Sequence, residues 1–206
     1  MTHTLHYTAG SGNSFKPALV LRQTGRTCEM RAVDVLKGES RRPEYLAINA
    51  RGQVPYLVTQ DGRGIGESNA IAWFLAQGSP LMPSDPVACA QAIQWMIFEQ
   101  TSLEPNISPA RFFTYVVPAL REQHEADIPR WLDAGHRALQ VLDEHLVGRD
   151  FITDYGYCVA DIAVYGYTHL ANQGGFDLDR YPGVTRWMKR VQDTPAYANI
   201  ESLLCN

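Results

Sequence analysis

Cysteines are few in this 206-residue chain, and they follow neither a disulfide nor a metal-binding pattern. The four cysteines, Cys28, Cys89, Cys158 and Cys205, are scattered, without a C-x-x-C pair or a zinc-ligand spacing. Their even count allows disulfides, but the scatter favours four reduced thiols in a cytoplasmic protein. We therefore expect no metal, no disulfide framework and a cytoplasmic location.

The chain also lacks long apolar runs and basic tracts, and its first residues do not show the pattern of a secretory leader. No run of about eighteen apolar residues occurs, so neither a transmembrane helix nor a membrane partner is expected. The formal net charge is −4 and no cluster of lysine or arginine stands out, which argues against a nucleic-acid partner. The first residues, Met1-Thr2-His3-Thr4, do not form a basic region followed by an apolar core, so no signal peptide is expected.

Strand-like and helix-like patterns alternate over residues 1–77. In chain order, the predicted strands and helices are Thr4–Thr8, Ser14–Thr24, Cys28–Val35, Arg41–Ile48, Tyr56–Thr59, Ile65 and Ser68–Ala76. Pro17 is tolerated only in a first helical turn, which predicts that the first helix begins near Asn13 or Ser14, and Gly25 is suited to end it. The order β-α-β-α-β-β-α predicts an α/β domain with one mixed sheet, as in thioredoxin.

Residues 78–84 are rich in proline, glycine and serine, a composition typical of a linker. The patterns after it are helical throughout, and we predict an all-α domain over residues 85–206. The predicted helix starts are Ser84 or Asp85, Asp127 and Val159. Pro105 and Pro109 interrupt the first of these helical patterns.

Two stretches of the first domain together indicate a site for a small zwitterionic peptide. Pro55 stands directly before the third strand, and we expect a cis bond after Val54, with the backbone N–H and C=O of Val54 facing outward. Such a backbone pair can bind an extended peptide in the manner of an added strand. Further along, Glu67-Ser68 begins a helix, where N–H groups and a hydroxyl suit a carboxylate. The glutamate beside them suits an amine.

The chain resembles the glutathione transferase family over nearly its whole length. The motifs that carry the resemblance are Asn49-x-x-Gly52-x-Val54-Pro55-x-Leu57, Glu67-Ser68-x-Ala70-Ile71, Tyr181-Pro182-x-Val184-x-x-Trp187-x-x-Arg190 and Pro195-Ala196. The resemblance implies glutathione as co-substrate, a small hydrophobic electrophile as second substrate, no metal, and a homodimer.

The loop Ser11-Gly12-Asn13-Ser14 is where the resemblance places the reacting thiol. A free thiol has a pKa near ~8.5, so half-ionisation at neutral pH requires roughly 2 kcal/mol. A hydrogen bond to a charged group supplies on the order of 1.5–3 kcal/mol and a helix N-terminus ~0.3–1 kcal/mol. By position, Ser11 matches the hydroxyl donor of serine-type members, and Asn13 matches an assisting asparagine of one bacterial group. Ser14 is a further candidate, and all three can instead be turn and cap residues.

The resemblance also implies the contacts to the rest of glutathione. The residues concerned are Lys37, Gln53, Val54, Pro55, Glu67 and Ser68. Val54 pairs with the cysteinyl backbone, and Glu67 and Ser68 hold the γ-glutamyl end. Gln53 and Lys37 approach the glycyl carboxylate. Lys37 can equally be a solvated surface lysine, and Glu67 can be a first-turn acid that complements the helix dipole.

The sequence departs from the family pattern at Cys158-Val159-Ala160-Asp161, where a thiol replaces the usual capping hydroxyl. A thiol is a weak acceptor, so this cap is expected to be weaker by about 1 kcal/mol. We expect a structural role for Asp161.

The resemblance predicts a transferase that activates the glutathione thiolate for attack on a small electrophile. A glutathione-dependent disulfide or peroxide reductase, in which Asn13 matters more than Ser11, is the second interpretation. A non-catalytic glutathione- or protein-binding module is the third.

Overall fold

The structure, a computed structural model, describes residues 2–204, which form two compact units. The first unit comprises the described residues up to Met82 together with those from Pro195 onward, and the second runs from Pro83 to Thr194. The sequence pattern did not indicate that the last residues pack with the first unit. Cys205 lies outside the described residues.

The first unit contains a four-stranded sheet with its helices. Its strands are β1 (His3–Tyr7), β2 (Cys28–Ala32), β3 (Tyr56–Val58) and β4 (Gly64–Ile65), and its helices are α1 (Gly12–Thr24), α2 (Pro43–Leu46), α3 (Ser68–Ala76) and, near the C-terminus, a short helix at Ile200–Leu203. The strand order is β2-β1-β3-β4, with β1 parallel to β2 and antiparallel to β3, and β3 antiparallel to β4. The predicted thioredoxin-like order is therefore confirmed.

Helix α1 begins at Gly12, earlier than predicted, because Ser11 serves as its N-cap. Pro17 consequently lies inside the helix, beyond the first turn to which the prediction confined it. A proline there leaves the carbonyl of the residue four positions earlier without its usual backbone donor. The predicted end is confirmed, since Gly25 adopts a left-handed conformation with φ 65°.

Apolar packing between α1 and α3 places the starts of the two helices side by side. The large apolar side chains of the sheet and of these helices that are fully buried include Leu5, Phe15, Leu19, Val20, Leu57, Ile71 and Leu75. On β1 and β3, Leu5 and Leu57 are direct cross-strand partners. The packing of this core fixes the positions of the loops that lead into α1, β3 and α3.

The second unit is helical, as predicted. Its α-helices are α4 (Pro86–Phe98), α5 (Glu104–Arg111), α6 (Ile128–His145), α7 (Val159–Thr168) and α8 (Pro182–Gln192). Asp85 rather than Ser84 caps α4, since its Oδ2 accepts from the Ala88 N–H at 2.9 Å. Around Pro105 and Pro109 the chain does not break but passes through π-helical segments at Glu99–Leu103 and Phe112–Val116. Wider turns of this kind accommodate a disturbed hydrogen-bond ladder.

Asp161 organises the start of α7. Its fully buried carboxylate accepts from the Cys158 N–H at 3.0 Å, the Ile152 N–H at 3.0 Å and the Trp187 Nε1–H at 2.8 Å. Burial nevertheless raises its pKa to about 6. Burial also raises the pKa of the Cys158 thiol to about 12, so this cysteine stays neutral. These contacts give Asp161 the structural role expected from the sequence.

Among residues 2–204, no helix combines the length and the apolar character needed to cross a membrane.

Candidate functional site

The loop before β3 is held in shape by Asn49 and Gly52. The buried Asn49 donates from Nδ2 to the Gln53 carbonyl at 2.8 Å, and its Oδ1 accepts from the Arg51 N–H at 3.2 Å. Gly52 has φ 59°, and a Cβ at this position would lie 2.7 Å from the Ser40 carbonyl oxygen. A side chain therefore fits neither the backbone conformation nor the space. This explains the asparagine and the glycine of the motif.

Val54 presents its backbone at the end of this loop. The Val54-Pro55 bond is cis, which confirms the prediction. Pro55 is buried and Val54 is half-buried. Among residues 2–204, no backbone group hydrogen-bonds to the N–H or the C=O of Val54. Since backbone groups at half-buried positions need partners, this residue can pair with an extended peptide.

The start of α3 carries a strained residue. Glu67 has φ 64° and ψ 118°, a conformation that costs a non-glycine residue on the order of 1–3 kcal/mol. Its Oε1 lies 2.5 Å from Nη1 of Arg51, and the two side chains are 54% and 63% exposed. An exposed pair of this kind contributes little stability. Glu67 therefore holds a carboxylate at the surface that a ligand amine can reach, beside an arginine that the sequence patterns did not indicate.

The serines of the loop before α1 have different roles. Ser14 is fully buried, and its Oγ accepts from the Thr8 N–H at 3.1 Å. Ser11 is half-buried, and its Oγ accepts from the Ser14 N–H at 3.3 Å as the helix cap. Because a cap uses only a lone pair, the O–H of Ser11 is left to donate. The Ser14 side chain is buried in a structural hydrogen bond, whereas the Ser11 O–H can donate to a ligand.

Asn13 and Ser68, which are far apart in the sequence, are joined by a buried lysine. The Ser68 hydroxyl donates to Asn13 Oδ1 at 2.9 Å, and Lys16 Nζ lies 3.1 Å from the same oxygen and 3.4 Å from Ser68 Oγ. Lys16 is 0% exposed and Ser68 is 4% exposed. The loop before α1 and the start of α3 thus form one polar cluster: Asn13, Lys16 and Ser68.

The sequence patterns did not single out Lys16. A signal was present, because a lysine near the positive N-terminal end of a helix is unfavourable and fully buried lysines are rare. Its neighbours Phe15 and Pro17 are apolar, so the lysine interrupts an apolar stretch. Only the contact across to α3 shows what the side chain does.

Lys37 and Gln53 lie at the exposed margin of this unit. The Lys37 side chain is 76% exposed and its Nζ lies 3.1 Å from Asp34 Oδ2. The structure does not bring Lys37 into contact with Asn13, Ser68 or Val54 in the described chain. Gln53 is exposed, and its carbonyl accepts from Asn49 as described above.

Within residues 2–204, no cluster of three or more histidine, cysteine or acidic side chains is placed to hold a metal ion. Cys28 lies on β2 and is half-buried, and burial raises the pKa of its thiol to about 11. A thiol at such a pKa is not a nucleophile at neutral pH.

Comparison with known proteins gives consistent matches. Models of the glutathione S-transferase N-terminal and C-terminal domains match residues 10–77 and 103–195. The crystal structure of a glutathione S-transferase from Pseudomonas fluorescens Pf-5 is 40% identical, with a TM-score of 0.93, and the match covers 97% of this chain and 99% of that chain.

Two further similar proteins carry information about chemistry. A glutathione transferase from Pseudomonas putida, solved with one glutathione disulfide bound per subunit, is 25% identical with a TM-score of 0.84, and the match covers 99% of this chain and 91% of that chain. The disulfide-bond oxidoreductase YfcG of Escherichia coli K12 is 27% identical over 197 residues, which span 92% of this chain and 90% of that protein.

Proposed function

This chain belongs to the glutathione S-transferase family, and we propose that it ionises the thiol of glutathione for attack on a small hydrophobic electrophile. The observation that carries the proposal is the convergence of Ser11, Asn13 and Ser68 at the adjoining starts of α1 and α3. Glutathione is the co-substrate, and no metal takes part.

The tripeptide is proposed to bind along the edge of the first unit. The backbone of Val54, which follows the shaped loop and precedes Pro55, pairs with the cysteinyl residue. Glu67 holds the γ-glutamyl ammonium group. On binding, the Ser68 hydroxyl turns from Asn13 Oδ1 to the γ-glutamyl carboxylate, which the amide end of α3 holds as well. The glycyl carboxylate then faces the exposed margin with Gln53 and Lys37. Lys37 reaches it by leaving its exposed pair with Asp34, which costs little.

The ionised sulfur is proposed to lie over the N-terminus of α1. The Ser11 hydroxyl and the Asn13 amide donate hydrogen bonds to it, and the helix end adds a favourable field. One hydrogen bond to the charged sulfur contributes about 1.5–3 kcal/mol. That is enough to supply the roughly 2 kcal/mol needed for half-ionisation at neutral pH.

Ser11→Ala is expected to lower kcat/KM for conjugation of a chlorinated nitrobenzene about tenfold to hundredfold near neutral pH. The reason is the loss of one hydrogen bond to the thiolate, worth about 1.5–3 kcal/mol. Because alanine also removes the cap of α1, at a cost of about 1 kcal/mol in stability, Ser11→Thr is the matched control. It keeps the hydroxyl and is expected to retain most of the rate. Equal rates for wild type and Ser11→Ala would remove Ser11 from the mechanism.

Reduction of disulfides or peroxides is the second candidate function, and the similarity to YfcG favours it. Here the bound thiolate attacks one sulfur of a small disulfide and expels the other as a thiolate. A second glutathione then resolves the mixed disulfide, giving glutathione disulfide. Asn13 would carry more of the activation than Ser11. Reduction of a small disulfide without conjugation of any electrophile selects this function, and glutathione binding without either reaction indicates a non-catalytic module.

We further propose a homodimer in the cytoplasm. Two apolar side chains one turn apart on α4 remain exposed within the chain: Ile93 at 43% and Ile97 at 57%. An apolar face of this kind is typical of an interface between subunits. The thiols of Cys28, Cys89 and Cys158 are not in disulfides, which suits a reducing compartment.

A further inference from the structure

Lys16 is a costly residue at its position. Its side chain is completely buried, and the neighbouring Phe15, Leu19 and Val20 are buried completely as well. Taking an ammonium group out of water costs free energy that a methionine of similar length would not require. The charge of Lys16 therefore contributes something other than packing.

The charge of Lys16 decides which way the Asn13 amide faces. An ammonium group only donates hydrogen bonds, so the Asn13 atom 3.1 Å from Lys16 Nζ has to be the carbonyl oxygen. The Ser68 hydroxyl alone would not decide this, since a hydroxyl can donate to the oxygen or accept from the amide nitrogen. With the oxygen held by Lys16, the amide NH₂ of Asn13 is turned away from Lys16, and it stays so when the Ser68 hydroxyl turns to the γ-glutamyl carboxylate.

We propose that Lys16 is a positioning residue for the activation of the glutathione thiol. This inference rests on the proposed function. By fixing Asn13 Oδ1 toward the interior, Lys16 presents the Asn13 NH₂ as a donor to the sulfur. Its positive charge lies beneath the adjoining starts of α1 and α3, where it adds to the field that favours a thiolate and a carboxylate. Lys16 does not touch the reacting atoms and acts through Asn13 and Ser68.

The test compares wild type with Lys16→Met and Lys16→Arg. Thiolate formation is followed by the ultraviolet absorbance of bound glutathione as a function of pH, and kcat/KM for conjugation is measured over the same range. In Lys16→Met we expect about a tenfold loss of kcat/KM near neutral pH, equivalent to a rise of about one unit in the thiol pKa. The loss should shrink above the pKa of a free thiol, ~8.5, where no help is needed for ionisation. Lys16→Arg keeps the charge and is expected to retain the wild-type pH profile.

A second pair of variants separates positioning from a general loss of structure. In an Asn13→Ala background, Lys16→Met is expected to add less than a threefold further loss, because the donor that Lys16 orients is already gone. Asn13→Asp gives Lys16 a carboxylate partner and so retains the fold, but it offers no NH₂ to the sulfur. The Asn13→Asp variant is therefore expected to ionise bound glutathione no better than Asn13→Ala does. Comparing thiolate formation in these two variants tests the role of the Asn13 NH₂ even if Lys16→Met does not fold.

The outcomes distinguish the inference from the proposed function. If wild type does not ionise bound glutathione, the proposed function fails and the role of Lys16 fails with it. If wild type ionises it and Lys16→Met does so equally well, only the role of Lys16 is overturned. Wild-type ionisation by Asn13→Asp, or a full tenfold loss from Lys16→Met in the Asn13→Ala background, overturns it as well.

Discussion

Asp161→Ala is expected to lower the free energy of unfolding by about 3 kcal/mol. The substitution leaves the Cys158 N–H, the Ile152 N–H and the Trp187 Nε1–H without their shared acceptor in a fully buried place. Each unsatisfied buried donor costs about 1–3 kcal/mol, and the relief from burying a carboxylate offsets only part of the sum. Denaturant unfolding measures the change.

Asp193→Ala is the control for this prediction. Asp193 is also an aspartate of the second unit, but its side chain is 61% exposed and pairs with Lys189 at 2.7 Å. Its removal is expected to change the free energy of unfolding by less than about 1 kcal/mol. Equal and small effects of the two substitutions would contradict the structural role of Asp161.

The pH dependence of stability gives a second readout at Asp161. Burial raises the pKa of the folded-state carboxyl to about 6, above the usual 3.8. Its contribution to stability is therefore fully present below about pH 4 and is lost as the pH rises through about 6. Asp161→Asn does not ionise. The free energy of unfolding of wild type, relative to that of this variant, should therefore fall between about pH 4 and 7. A difference in free energy of unfolding that instead grows in favour of wild type over this pH range would contradict the raised pKa.

Ser68→Ala is expected to raise the KM for glutathione about tenfold to hundredfold. The Ser68 hydroxyl is proposed to hold the γ-glutamyl carboxylate, and a hydrogen bond to a charged group is worth about 1.5–3 kcal/mol. In the free protein this single O–H donates to Asn13 Oδ1 at 2.9 Å, an oxygen that Lys16 Nζ also holds at 3.1 Å. Lys16 therefore keeps Asn13 in place when the hydroxyl turns to the carboxylate or is removed, and kcat should change little. Initial-rate kinetics with varied glutathione separate the effect on KM from the effect on kcat.

Ser79→Ala serves as the matched control for Ser68→Ala. Ser79 belongs to the first unit too, but its hydroxyl donates to the Ala76 carbonyl at 2.7 Å, at the end of α3 opposite the proposed site. Its substitution is expected to leave the KM for glutathione unchanged. A wild-type KM in Ser68→Ala would remove Ser68 from the binding site.

Much of the first unit follows from local patterns. The helix Ser68–Ala76 has the bounds that the sequence predicts, and the cis bond between Val54 and Pro55 lies where proline chemistry places it. The early start of α1 shows where local rules conflict. A serine cap and a proline inside the same helix favour different starts, and here the capping interaction of Ser11 prevails over the preference of Pro17 for a first turn.

The parts that sequence reasoning missed depend on contacts across the chain. Lys16 reaches Ser68 across 52 positions, and Arg51 reaches Glu67 across 16. Neither spacing is periodic, so no helix or strand pattern reveals these pairs. Burial of Lys16 arises from the packing of α1 against α3, which a single-residue preference for the surface does not predict.

A structure of the protein with reduced glutathione bound tests the central claim most directly. We predict that the sulfur lies within hydrogen-bond reach of Ser11 Oγ and the Asn13 amide nitrogen, that the cysteinyl backbone pairs with Val54, and that the γ-glutamyl end meets Glu67 and Ser68. Glutathione bound elsewhere, or with its sulfur out of reach of both Ser11 and Asn13, would contradict the proposed activation of the thiol.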